Sequence, residues 1–379
     1  MNFALDEQQR QLRDTARAFL SAHAGSAEVR AAMATERGFD PALWRRIAEE
    51  MGWPAVVVPE DYGGLGLGQV EIMVLMEAMG AAVLCAPFFS TVCLGANALV
   101  VGASPEQRAA WLPGIAAGTT TAALAHAEPD GRWDADGVQA LARIDGANVV
   151  LSGTKAYVVD GHTADLLLVA ARTPGTSGTT GVALYLVPAT TPGLRRRALA
   201  TLDQTRRLAE IVLDDVRVPR SAVLGGDPQG WEPLATTLRL ATVALAAEQV
   251  GGAERCLDLA VAYAGERMQF GRPIGSFQAI KHKCADMLMR VEAARSATYY
   301  AACAADERGP ELAIAASLAK AYASDTYFRC AADCLQIHGG VGFTWEYDVH
   351  LYFKRARSSE SLLGDAQYHR ELVARHLAL

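Results

Sequence analysis

Apolar residues recur every three to four positions through the first part of the chain, which predicts a helical region over residues 1–117. Leu5, Leu12, Ala16 and Phe19 share one face of a first helix. A second helix is punctuated at both ends: Asp40 serves as N-cap, Pro41 takes the first helical position, Leu43, Trp44, Ile47 and Met51 form the apolar stripe, and Gly52 stops it. Ser104 to Gln107 spells a capping box before a further short helix, with Pro105 at its first position. Between these lies the glycine-rich VVVPEDYGGLGLG, residues 56–68, a weak candidate for a phosphate loop because no lysine follows it and no strong strand precedes it.

Over 118–228 the texture changes to short β-rich runs at 148–151, 156–159, 166–170, 182–187 and 211–218, separated by glycine, proline and threonine turns, which predicts a compact antiparallel β domain. The stretch TPGTSGTT, 173–180, reads as a hairpin tip or surface loop. Over 229–379 strand signals vanish. Alanine- and leucine-rich segments, broken at Gly251–Gly252, around Gly271–Gly275, at Gly309–Pro310 and at Gly339–Gly342, predict four long helices in an antiparallel bundle. No repeat of solenoid period occurs, so the fold class is α+β: helical domain, middle β domain, four-helix bundle.

Composition narrows the function classes. With 51% hydrophobic and 20% charged residues in 379, the chain is folded rather than disordered. A net charge of −7 argues against nucleic acid as a partner. No run of 18 apolar residues occurs and Asp6 and Glu7 sit where a signal peptide needs a basic and then apolar run, so no membrane and a cytoplasmic location are expected. Seven cysteines without a CxxC pair read as reduced thiols in a core, and no metal site is expected.

Two segments carry candidate chemistry. In RMQFGRPIGSFQAIKH, 267–282, Arg267 offers a planar fork suited to a diphosphate, Phe270 and Phe277 offer flat apolar surface, and Gln278 offers an amide that both donates and accepts. The same residues also suit a bundle loop with a buried aromatic pair. In CLQIHGGVGFTWEYDVHLYFKRA, 334–356, Gly339 and Gly340 give a ligand access to backbone N–H groups, or else form a helix C-cap. His338 beside them reads as structural.

Together these segments resemble the acyl-CoA dehydrogenase family over nearly the whole chain. The family's arginine, FG, proline, isoleucine and FQ pattern stands at Arg267, Phe270, Gly271, Pro273, Ile274, Phe277 and Gln278. Its glutamine and double glycine stand at Gln336, Gly339 and Gly340, and PEDYGG at 59–64 looks like its N-terminal signature. The resemblance implies an FAD enzyme that removes hydrogens from the α and β carbons of an acyl-CoA thioester and passes electrons to an electron-transfer flavoprotein or similar acceptor. It further implies an FAD site shared across the interface of a dimer or tetramer. By carry-over Arg267 meets the diphosphate, Phe277 and Gln278 the adenosine part, Gln336 with Gly339 and Gly340 the far end of a neighbouring subunit's FAD, and Asp365, Ala366 and Gln367 match a further adenosine-side contact.

The redox half of the pattern is depleted. Leu363 stands where usual members carry the catalytic glutamate, and Ala241, 26 residues before Arg267, stands at the alternative glutamate position. Ala127 replaces a threonine before Glu128–Pro129, DGRWD replaces the GSD that follows, Val159 replaces a threonine that bonds flavin N5, and Tyr157 stands at the place of a tryptophan covering the ring. Four readings follow. The chain is an acyl-CoA dehydrogenase with a displaced base, Asp365 or Glu360, although Asp365 is equally a cap for the last helix. It is the non-catalytic partner in a heterotetramer with a related subunit that carries the glutamate, an arrangement resembling those used on steroid or other bulky acyl-CoA side chains. It is a flavin monooxygenase or nitroalkane oxidase of the same fold, against which the missing aspartate counts. Or it binds acyl-CoA or a protein partner without dehydrogenase activity.

Overall fold

The computed structural model describes residues 4–226 and 230–379, so the boundary expected at 228/229 lies outside the described residues. In chain order come helices α1 (Glu7–His23), α2 (Ser26–Met33), α3 (Pro41–Glu49), α4 (Gln69–Ala81), a π-helical turn Phe89–Ala96 running into α5 (Asn97–Gly102), and α6 (Pro105–Ala116). Strands β1 (Ala122–Ala125), β2 (Leu141–Asp145), β3 (Asn148–Val159), β4 (Leu166–Arg172), β5 (Val182–Pro188), β6 (Leu194–Ala198) and β7 (Leu208–Pro219) follow. Then come α7 (Glu232–Glu266), the short strands β8 (Met268–Gln269) and β9 (Arg272–Pro273), and helices α8 (Gln278–Glu307), α9 (Leu312–His338), α10 (Val349–Ser361) and α11 (Ala366–His376). Packing groups residues 32–68 and 85–241 into one unit, and the chain up to residue 31 with 69–84 and 242–379 into another.

In the first unit α3 forms as its sequence dictates: the Asp40 carboxylate accepts from Ala42 N at 2.9 Å, Pro41 is the first helical residue, and Leu43, Trp44 and Ile47 are buried. The helix stops at Glu49, before Met51. Ser104 and Gln107 make the reciprocal capping box of α6. The 56–68 segment closes on itself, with Leu65 N donating to Ala55 O and Leu67 N to Val56 O, and Gly64 lies so close to Val58 that any Cβ would collide.

The sheet runs β1-β4-β2-β3-β7-β6, with β5 on β4. The antiparallel expectation holds for β2–β3, β3–β7, β6–β7 and β4–β5, but β1 pairs β4 in parallel, Ala122 opposite Leu166, so the sheet is mixed. The runs at 148–151 and 156–159 form one strand, and register shifts at Leu151/Gly153 and Lys155/Val158 produce the interruption that the sequence shows. Strands β4 and β5 are apolar at nearly every position because both faces are buried.

In the second unit α7 runs straight through Gly251–Gly252, contrary to the expected break. These glycines serve close approach instead: a Cβ on Gly251 would stand 1.8 Å from the Glu77 carbonyl oxygen, and one on Gly252 2.4 Å from Tyr327. The expected breaks at Gly309–Pro310 and Gly339–Gly342 do separate helices, and three long helices are joined by the shorter α10 and α11. Cys256 and Ala260 of α7, Met287 and Val291 of α8, Tyr327, Cys330 and Cys334 of α9, and Tyr352 and Ala356 of α10 meet in one core. All seven cysteines are free. Arg17 of α1 and Arg295 of α8 pair with Glu77 of α4 and Glu254 of α7. Among the described residues no helix is long and apolar enough to cross a membrane.

Candidate functional site

The segment after α7 is a two-residue hairpin. Gln269 faces Arg272, and both central residues take positive φ, Phe270 at 54° and Gly271 at 75°, as such turns require. Phe270 stands 91% exposed at the tip, its ring edge-on to Phe277 at 6.0 Å, so the aromatic pair is not buried as a plain bundle loop would have it. Arg272, which the sequence reading did not single out, lies over the Phe277 ring at 4.2 Å. Phe277 is the N-cap of α8, and Gln278 opens that 30-residue helix with no acid in its first turn.

The second segment ends α9. Gln336 is exposed, and Gly339 takes φ 63°, ψ −140°, a conformation closed to side-chain-bearing residues. A Cβ on Gly339 or Gly340 would meet nothing within 4 Å, so their backbone faces open space. His338 is packed: it stacks on Tyr263 at 4.2 Å and its Nδ1 lies 2.8 Å from Cys334 O. The Tyr263 carbonyl accepts the Arg267 backbone N–H at 2.9 Å in the last turn of α7, so the residue that stacks on His338 lies one helical turn before Arg267.

These residues fit a dinucleotide. The side chains of Arg267, Gln278 and Gln336 are exposed and, among the described residues, make no hydrogen bond or ion pair within the chain. An exposed guanidinium without a partner among the described residues suits a diphosphate, and open glycine backbone suits close approach of a flat or polar group. Gln367 lies elsewhere. It opens α11, which packs on the start of α9 through His369 and Ser317, roughly 28 Å along that helix from Gln336 at 1.5 Å per residue.

The two candidate bases are both engaged. Asp365 is exposed and caps α11, accepting from Tyr368 N at 2.7 Å. Glu360 is ion-paired with Arg357. Leu363 is 5% exposed with φ 61°, and Ala241 is fully buried. Beneath the Leu363 turn lies a polar cluster that sequence reasoning missed. Lys320 Nζ, fully buried on α9, donates to Ser324 Oγ at 2.9 Å, Glu360 O at 3.0 Å and Gly364 O at 3.1 Å. Burial pushes it down to about 7. His369 Nε2 lies 3.0 Å from Leu363 O, and burial, aided by the nearby Lys320 charge, lowers its pKa to about 4. Gln249 Nε2 donates to Ser359 O at 3.0 Å. The one available signal was a lone lysine in the apolar run AIAASLAKAYAS.

In the sheet unit, Glu128 is consumed by structure: its Oε1 accepts from Gln139 N and Ala140 N at 2.8 Å each and from buried Lys155 Nζ at 2.7 Å. Burial lowers Lys155 to about 8 against the pull of Glu128. Trp133 of the DGRWD insert packs against His126. Ala127 and Val159 are buried and carry no side-chain donor, while Tyr157 is exposed at a bulge with φ 57°.

A helical N-terminal region, a β middle and a C-terminal helical bundle, in that order, define the class of flavoprotein oxidoreductases acting on CH–CH bonds. The chain belongs to the acyl-CoA dehydrogenase family, whose members are FAD flavoproteins: the family's N-terminal domain matches residues 6–119, its middle domain 123–216 and its C-terminal domain 228–378. The acyl-CoA dehydrogenase IpdE2 of Mycobacterium tuberculosis is 38% identical over 357 residues, 94% of this chain and 93% of that protein. Butyryl-CoA dehydrogenase from Megasphaera elsdenii has the same fold, with a TM-score of 0.91 at 28% identity and 100% coverage of both chains. A chain of the ChsE4–ChsE5 complex from Mycobacterium tuberculosis superposes with a TM-score of 0.91 at 30% identity, covering 100% of this chain and 99% of that one.

Proposed function

We propose that this chain is a subunit of a heteromeric acyl-CoA dehydrogenase: it binds an acyl-CoA thioester, grips part of an FAD shared with a related chain, and leaves α-proton removal to the carboxylate of that chain. The observation that carries the reading is Leu363, an alkyl side chain buried at the turn where the family places its base, with Asp365 and Glu360 beside it held in a cap and an ion pair. An alkyl group takes no proton, and loss of a positioned base costs about 10²–10⁴-fold in rate.

Arg267 would hold the diphosphate, and Phe277, Gln278, Gln336 and the Gly339–Gly340 backbone the adenosine side and far end, while Gln367 would act from its separate position at α11. FAD held there would supply the acceptor for the hydride that leaves the β carbon. Phe270, exposed at the hairpin tip, then finds cover in a neighbouring subunit. A pair of unlike chains, as the ChsE4–ChsE5 complex is by its name, supports such an arrangement here, and an electron-transfer flavoprotein or similar acceptor would reoxidise the flavin. The domain division behind this reading is 1–117, 118–228 and 229–379.

Mixing the purified chain, FAD, an acyl-CoA panel and an electron acceptor, with and without a related chain that carries the glutamate, tests this. Turnover only in the mixture, with both chains co-eluting, is expected. Full turnover by this chain alone overturns it.

A further inference from the structure

We infer that His350 and Trp345 form an acid-sensitive latch on the segment between α9 and α10: when His350 takes up a proton, Trp345 leaves it and the segment that carries Gly339 and Gly340 loosens. The latch needs only the fold. Its consequence for a dinucleotide rests on the reading above.

Local bonds give the segment its shape. Gly339–Phe343 is a short 3₁₀ turn, and Thr344 N and Thr344 Oγ1 both reach Val341 O, at 3.0 and 2.9 Å. Side chains tie it to the helices. Arg30 of α2 donates to Tyr347 O at 3.2 Å and to the Asp348 carboxylate at 2.6 Å, and Ser26 donates to the same carboxylate at 2.7 Å. Trp345 lies against His350 with ring centroids 4.6 Å apart and planes at 77°. The indole is 57% exposed on its other side, so this contact is what anchors it.

His350, the second residue of α10, is 5% exposed, and among the described residues neither Nδ1 nor Nε2 has a hydrogen-bond partner. A neutral imidazole tolerates this with one unmet donor and one unmet acceptor. Protonation adds a second unmet donor and a charge in the same dry place, where no acceptor waits. Cations already stand around it. Lys354, one turn along α10, lies over the Trp345 ring at 4.7 Å, and Arg30 lies over it at 5.6 Å. An imidazolium is attracted by an indole, but here two other cations share that ring. The acid that acts on His350 is Asp348, and Arg30 and Ser26 occupy its carboxylate. Burial first, then Lys354 and Arg30, hold the His350 pKa below the ordinary 6.5. Closed, the latch therefore binds fewer protons than open, where the imidazole meets water. The open form gains up to about tenfold per pH unit below 6.5, until the lowered pKa of the closed form is reached.

Hydrogen exchange read by mass spectrometry on the full chain tests the latch, with wild type and His350→Phe compared at each pH from about 5 to 7.5 so that the intrinsic pH dependence of exchange cancels. Protection of 339–348 in the wild type, relative to the variant, should fall by up to about tenfold per unit as the pH drops below 6.5. Phe keeps the aromatic contact without either nitrogen, so the variant should be no less protected than the wild type at any pH. His350→Leu, which takes no proton either, gives the same comparison if Phe disturbs the packing. Trp345→Ala removes the latch and should exchange fast throughout. Wild-type protection that runs parallel to both His350 variants overturns the latch, and so does a Trp345→Ala chain that keeps the full pH dependence. FAD titrated into the assembled protein at the same pH values reads the consequence: acid should weaken binding more in the wild type than in His350→Phe. Loosening without that extra loss supports the latch and counts against Gly339 and Gly340 as contacts of the dinucleotide.

Discussion

Replacing Arg267 by alanine isolates the grip on the dinucleotide. Its guanidinium is exposed and, among the described residues, bonds to nothing in the chain, so truncation should cost the fold no more than about 0.5 kcal/mol, as for surface positions generally. A bidentate, charge-assisted pair with a diphosphate contributes about 1.5–3 kcal/mol, so the FAD dissociation constant should rise by about 10- to 150-fold. Arg267→Lys keeps the charge without the fork and should fall between. Fluorescence quenching of FAD titrated into the assembled protein gives the constants, and thermal melts of the FAD-free protein give the stability control. An unchanged constant, or a melt that drops without FAD present, refutes the reasoning.

Three other perturbations bear on the fold beneath the site. Gly251→Ala places a methyl 1.8 Å from Glu77 O where ordinary contact begins at 3.4 Å, so α4 and α7 must separate; denaturant unfolding should show a loss of about 1–3 kcal/mol or more. Lys155→Met strands the Glu128 carboxylate in the sheet unit and should cost about 3–5 kcal/mol, towards the low end because two backbone N–H groups still hold it. His369, lowered to about 4 from an ordinary 6.5, binds fewer protons folded than unfolded across that window, so stability rises with pH from about 4 to 6.5 and is at its worst below 4. In His369→Gln that part of the rise should vanish from midpoints measured across pH 3.5–7, and a profile parallel to the wild type counts against it.

How much of this was legible in the sequence depends on whether local chemistry or packing decided the matter. Asp40, Pro41 and the Ser104–Gln107 box act within one turn of chain and could be read directly. Arg267, Phe277, Gln278, Gln336 and the paired glycines sit in contiguous motifs and could be picked out, though the positive φ of Phe270 and its exposure could not. Gly251 and Gly252 misled because glycine spells both a break and a close crossing, and only the partners Glu77 and Tyr327, far away in sequence, decide which. β1, β2 and β6 escaped notice because AALA is short and alanine-rich while LARID and LRRRA carry exposed charge. Lys320, His369 and Gln249 converge on one turn from three helices, a relation that no linear spacing displays.

The absence of a base at Leu363 is tested most directly by rapid anaerobic mixing of the FAD-loaded assembly, the related subunit's own glutamate replaced by glutamine, with an acyl-CoA, following the loss of flavin absorbance. The wild type and Leu363→Gln should keep their flavin oxidised, and Leu363→Glu should bleach about 10²–10⁴-fold faster. Rapid bleaching by the wild type, unaltered by either substitution, would contradict the account.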